Sequence, residues 1–165
     1  MLGIEISFGI VILMVIVLIV YAYTHQYVII TDDGSMTTSQ LLHAVGGESY
    51  WSDRQLDSEF PSPSTPTSRK FRWQRKADRH LKNLSAEDLE KRVECINIRE
   101  RLIYEGKWFQ KKGTYLDKKT TTLCAGSRDS RDRVPSVHLY DGKVSVYYCA
   151  TNAKDSALRA REVIS

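Results

Sequence analysis

Hydrophobic and polar positions divide the chain into three parts of unlike pattern. Between Ile6 and Tyr23, eighteen residues pass without a charge, most of them Ile, Val and Leu. About 20 apolar residues of helix cross a bilayer core roughly 30 Å thick. Gly3 to Tyr23 supplies that length with Glu5 at the headgroup level. Tyr21, Tyr23 and Tyr27 gather at the other end, where amphipathic rings favour an interface. The pattern predicts a transmembrane anchor over residues 1–24. A cleaved signal peptide is the rival reading, with Val20-Tyr21-Ala22 as its cleavage site. Against it stand the missing basic start and the long apolar core.

From residue 25 to 68 the pattern loses its period. Thr31-Asp-Asp-Gly-Ser35 and Gly46-Gly47 read as turns, and Phe60-Pro-Ser-Pro-Ser-Thr-Pro-Thr-Ser68 holds three of the four prolines. Such composition predicts an extended, largely irregular linker. Within it Thr38–Ala44 reads as a short helix stopped by the glycine pair.

Residues 69–165 read as a small basic domain. Ser85 to Ile98 carries a helical signal: Ser85 as cap with Asp88 three residues on, and Leu89, Val93 and Ile96 on one face. Beyond Arg99 the period shifts toward alternation. Arg101–Tyr104 and Lys107–Lys111 read as strands around a Glu105-Gly106 turn, with further strands at Thr114–Leu116 and Lys119–Ala125. Val137–Tyr140, Asp141-Gly142 and Val144–Ala150 give the strongest hairpin signal in the chain, and Ala153–Val163 reads as a closing helix. The predicted fold class is α+β: one N-terminal transmembrane helix, a flexible linker, then a small antiparallel sheet domain with one or two helices.

Charge sharpens this picture at one place. All 24 Lys and Arg lie at or beyond Arg54, and the net charge of +4 favours anionic partners. In the stretch 69–82, Arg69, Lys70, Arg72, Arg75, Lys76, Arg79 and Lys82 face only one acid, Asp78, with Phe71 and Trp73 interleaved. Arg69, Lys70, Arg72, Trp73, Arg75, Lys76 and Arg79 are therefore candidates for binding an acidic protein, anionic lipid or nucleic acid. The plainer alternative is a solvated basic helix whose aromatics pack on its own domain.

Two further features bear on location. Asn83-Leu84-Ser85 is an N-glycosylation sequon, although Ser85 also serves the predicted cap. Cys124 and Cys149 both end predicted strands and are candidates for a disulfide; equally, Cys95, Cys124 and Cys149 suit reduced core positions. Acidic Asp32 and Asp33 follow the apolar span, and with the sequon they favour a domain outside the cytosol.

Catalytic and metal signatures are absent. His25, His43, His80 and His138 are scattered, no cysteine pair has zinc spacing, and no phosphate-binding glycine loop occurs. Cys149 and His138 are the one conceivable nucleophile and base, with a packing role for the thiol the alternative. No enzyme activity, cofactor or small-molecule substrate is expected. The reading that follows is a membrane-anchored accessory or assembly protein whose domain binds another protein, as minor subunits of membrane complexes and small viral envelope proteins do. Trp108-Phe109 and Tyr147-Tyr148 are candidate contacts. The alternative is a membrane-tethered binder of nucleic acid or anionic lipid through residues 69–82.

Overall fold

Four short polar motifs set where the helices start. Thr37-x-x-Gln40, Ser52-x-x-Gln55, Ser85-x-x-Asp88 and Asn97-x-x-Glu100 each form a reciprocal cap, in which two side chains satisfy two otherwise orphaned N–H groups. They open α1 (Thr38–Ala44), α2 (Asp53–Glu59), α3 (Ala86–Glu90) and α4 (Ile98–Lys112). Gly113 ends α4 in the left-handed region at φ +62°, where its N–H reaches the Phe109 carbonyl. The strands are β1 (Tyr27–Asp32), β2 (Glu48–Ser49), β3 (Thr67–Arg72), β4 (Thr121–Leu123), β5 (Val134–Tyr140), β6 (Lys143–Cys149) and β7 (Leu158–Arg159). The computed structural model describes residues 11–18 and 26–165.

The fold is α+β with mixed pairing. β1 and β3 form an antiparallel ribbon, Tyr27 opposite Arg72 and Asp32 opposite Thr67. The second sheet runs β2-β6-β5-β4-β7, with β2 parallel to β6 and β7 parallel to β4. The expected Asp141-Gly142 hairpin joins β5 to β6, both turn residues at positive φ. Helix α4 lies between the two sheets. Ile98 and Leu102 pack with Leu42, Trp51, Leu56, Phe60 and the β5–β6 valines. Tyr104 and Trp108 pack with Ile30, Phe71 and Leu116 under the ribbon. A third cluster joins α3 to β4 and β5 through Leu89, Leu123 and Val134.

Several expectations are corrected here. Among the described residues no helix is long and apolar enough to cross a membrane. Residues 11–18 are helical. The anchor expected over 1–24 and the single-pass placement drawn from it are therefore not supported. Positions 1–10 and 19–24 of that span lie outside the described residues.

The flexible linker is overturned as well. Residues 27–68 form two strands and two helices of the core, and even the proline run is tied down, Ser62 donating to the Met36 carbonyl at 2.9 Å. The domain sheet is mixed, not antiparallel. Residues 101–104 and 107–111 are not strands but the middle of α4, whose buried face carries Arg101 and Glu105 beside Leu102 and Trp108. Charge on that inward face hid its helical period. The helix expected over 85–98 stops at Glu90; Cys95 then bridges Glu162 as extended chain. Thr114–Leu116 is irregular chain, and 153–163 holds β7 in place of a helix.

Gly126 marks where this extended chain meets the loop before β5. A Cβ there would lie 2.5 Å from the Cys95 carbonyl oxygen and 3.1 Å from backbone atoms of Ile96 and Asn97. Backbone yields less readily than a side-chain tip. Gly126→Ala is expected to lower stability by about 1–3 kcal/mol, read as a lower urea midpoint at unchanged m-value. An unchanged midpoint would mean that residues 95–97 shift freely.

Candidate anion-binding cleft

The base of the site is a set of buried charges on α4 and the loops around it. Arg101 donates to Glu105 at 2.6 Å and to Asp117 at 3.1 Å, and Arg161 reaches both Asp117 oxygens at 3.2 Å. All four side chains are essentially inaccessible. Asp117 also accepts from the Thr120 hydroxyl, the Thr122 hydroxyl and the Ala77 N–H. Burial alone would raise its carboxyl, but the Arg161 and Arg101 guanidiniums hold it below the usual carboxylate range. Buried charges persist when paired and hydrogen-bonded in this way.

This network fixes the loop after β3. Arg161 donates to the Gln74 and Arg75 carbonyls, each at 2.9 Å, and the Asp117 N–H reaches the Arg75 carbonyl. Nearby, the Asp78 N–H bonds to the Ala160 carbonyl, while the Asp78 carboxylate takes the Glu162 N–H at 2.7 Å. The loop from Gln74 to Asp78 is thereby stitched to the C-terminal strand.

On that base lies a cleft of about 630 Å³ lined by Gln74, Arg75, Lys76, Ala77, Arg79, Lys82 and Arg159. Five of its seven lining residues are cations, and it contains neither an acid nor an aromatic ring. Among the described residues no carboxylate pairs with any of the five. Arg75 spends its Nε on the Tyr115 carbonyl at 3.3 Å, and the buried Nε of Arg159 has no partner. The volume lies within the range of ligand pockets, but such pockets are mostly apolar with few polar groups. This one is suited to charged oxygens.

The structure divides the expected basic segment in two. Arg75, Lys76 and Arg79 reach the cleft. Arg69 is drawn to Glu94 and Glu100 at 3.0 and 3.4 Å, and Arg72 to Glu162 and Asp78 at 3.0 and 3.3 Å. Lys70 sits over the Tyr27 ring. Trp73 stacks on Tyr104 at 5.4 Å and 17°, leans on Trp108 and is covered by Lys111, so its faces are already taken. Arg159 is the residue that sequence reasoning missed. It arrives on a two-residue parallel strand beside β4, a pairing too short to leave a pattern.

Other candidates fall elsewhere. Asn83 is exposed in a left-handed turn at φ +59°, and the Ser85 hydroxyl of its sequon caps α3. The cysteines are free thiols. Cys124 bonds beside Pro135 and Cys149 pairs with Val134 on the far side of β5, so two strand spacings, roughly 10 Å, separate them. A disulfide needs Cα atoms within about 7 Å. His138 pairs with Ser145, four positions from Cys149, or roughly 13 Å along the strand. Burial pushes the Cys149 thiol up, away from the thiolate a nucleophile needs. Trp108 is core, while Phe109 stacks on Tyr115. Among the described residues no group of three His, Cys, Asp or Glu is placed to hold a metal ion.

Comparison of the chain with protein-family models, with curated proteins and with solved structures finds no match.

Proposed function

We propose that this protein is a binding domain that seats an acidic segment of a partner protein in the cleft of Arg75, Lys76, Arg79, Lys82 and Arg159. The observation that carries the reading is the convergence of five cations, none of them paired with a carboxylate among the described residues. Elsewhere among the described residues seven arginines meet acids, Arg69, Arg72, Arg99, Arg101, Arg128, Arg133 and Arg161, while the unpaired Arg54, Arg92 and Arg131 do not share a cleft of this kind. Unpaired cations held on a rigid loop are available without first breaking an internal bond, which lowers the penalty of association. Arginine forks suit carboxylates bidentately. The alternative partner, single-stranded nucleic acid, normally adds base stacking on exposed rings, and the ring next to this cleft, Trp73, is already covered on its faces.

The test is fluorescence anisotropy of a labelled polyglutamate peptide against the full chain. Binding is expected to weaken as salt rises. The triple variant Lys76→Gln, Arg79→Gln, Lys82→Gln changes exposed side chains only and is expected to weaken binding roughly tenfold, about 1.4 kcal/mol. The equally charged control Lys91→Gln, Arg92→Gln, Lys112→Gln lies elsewhere on the surface and is expected to change affinity little. Equal losses in both variants would reduce the cleft to general charge attraction. Tighter binding of a single-stranded oligonucleotide through the same three residues would overturn the protein-partner reading.

A further inference from the structure

A second site lies away from the cleft, at the junction of β2, β6 and the loop before β5. Tyr50 and Trp51 follow β2, and Tyr148 stands near the end of β6 on the same side of the sheet. Their rings meet nearly at right angles: Tyr50 and Trp51 at 88° with centroids 5.7 Å apart, Tyr50 and Tyr148 at 74° and 4.7 Å. Trp51 and Tyr148 lie 6.1 Å apart at 60°. Phe60 closes the back, edge-on to Trp51. Three rings so disposed turn their electron-rich faces toward one point, the arrangement that attracts a cation of low hydration.

That point holds the guanidinium of Arg133. Its central carbon lies 3.9 Å from the Tyr148 ring centre, 5.5 Å from Tyr50 and 5.7 Å from Trp51. Asp129 supplies the anionic side, its inaccessible carboxylate 2.6 Å from the same guanidinium. The mouth faces solvent, with Tyr50 51% and Tyr148 38% exposed. Arg133 enters from the charged loop after Ala125, whose Ser130 is clipped to Glu59. The chemistry of the occupant is thus displayed in the structure itself: a delocalised cation, three aromatic faces and one buried carboxylate.

We propose that the Tyr50–Trp51–Tyr148 cage with Asp129 is a recognition site for an alkylated ammonium group, and that Arg133 is its resident, exchangeable occupant. Quaternary ammonium groups and methylated lysines are bound by aromatic cages of this composition. An occupant on the same chain lowers the apparent affinity for an incoming ligand by the fraction of time the cage is open. Leaving requires only the Arg133 side chain to rotate outward and re-solvate with its charge intact, while the N–H groups of Arg131 and Arg133 hold the Asp129 carboxylate in place.

Ligand-detected NMR on the full chain tests this with tetramethylammonium and with a short peptide carrying one trimethyl-lysine. In Arg133→Ala the methyl resonance is expected to shift upfield on binding, with affinity roughly tenfold above the wild type. Adding Tyr148→Ala to that variant is expected to abolish the shift. A peptide bound more tightly than the free ion would point to a modified protein as the source; equal binding would point to a small quaternary ammonium compound. Should Arg133→Ala fail to fold by circular dichroism, Arg133→Gln keeps the stem and removes the charge. The wild type adds an independent readout, its Arg133 Nε–H signal moving as saturating ligand displaces the side chain. The proposal is overturned if neither ligand binds a folded Arg133 variant, if binding survives the loss of Tyr148, or if wild type and variant bind alike.

Discussion

Expressed without residues 1–68, the fragment 69–165 is expected to give an unfolded chain, with a collapsed proton spectrum and no cooperative melt. The reason lies in what the missing segment buries. Ile30, Leu42, Trp51, Leu56 and Phe60 are each at most 5% exposed and sit in the clusters on either side of α4. At about 1.5–3 kcal/mol for each buried side chain they contribute about 7–15 kcal/mol. That equals the whole stability of an ordinary domain, about 5–15 kcal/mol. The loss does not end there. Arg99 donates to both oxygens of Asp32, at 2.6 and 2.8 Å, and both side chains are almost fully buried. Removing Asp32 leaves a buried guanidinium without its counter-ion, which alone destabilises by about 3–5 kcal/mol. A dispersed spectrum and a sharp melt from the fragment would show that residues 27–68 are an appendage after all.

That segment explains why part of the fold was not legible. Its composition resembles a spacer because Pro61, Pro63 and Pro66 fall close together among serines and threonines. Of its two helices only Thr38–Ala44 was expected; the one opened by the Ser52-x-x-Gln55 cap was not. The turn Asp141-Gly142 was legible for a local reason: both residues tolerate positive φ, and the flanking alternation sets the register. Helix α4 was obscured for a non-local one. Arg101 and Glu105 point inward to partners on other elements, so the apolar stripe that marks a helix is interrupted by charge. The run Leu102-Ile103-Tyr104 then passes for a strand. The two-residue strands β2 and β7 leave no trace, since parallel pairing so short is dictated by packing alone.

The cleft was half legible for a related reason. A basic stretch can be read from sequence, but which cations remain free depends on where distant acids arrive. Glu94, Glu100 and Glu162 reach back to Arg69 and Arg72, and none reaches Arg75 or Arg79. The charge pattern supplied the candidates, and the fold of residues 94–162 sorted them. The aromatic cage was less legible still, because Tyr50 and Tyr148 are nearly a hundred residues apart and meet only once β2 joins β6.

Replacing Asp117 with asparagine is expected to destabilise the protein by about 3–5 kcal/mol at neutral pH. Asparagine preserves the shape, and it tolerates the left-handed φ of +46° that Asp117 adopts. The change is therefore confined to charge and to acceptor strength. It leaves Arg161 buried without an anion and Arg101 with Glu105 alone. At roughly 2–4 °C per kcal/mol for a chain of this size, the melting temperature falls by about 10 °C. The difference from the wild type carries a pH signature. Asp117 has its carboxyl held low in the fold, so its contribution is fully present above the ordinary aspartate value, about 3.9, and is lost as pH falls through its folded value. The gap between wild type and variant should therefore be constant from neutrality down to about pH 4 and close below it. Glu100, raised by burial, runs the opposite way but does so in both proteins and cancels from the gap. Thermal melts of the two proteins across this range decide the matter. A loss under about 1 kcal/mol, as for an exposed ion pair, or a gap indifferent to acid, would mean that the buried network is not what holds this region. Because Ala77 and the Arg75 carbonyl are anchored through Asp117 and Arg161, the variant should also bind the acidic peptide more weakly, although every cation of the cleft is still present.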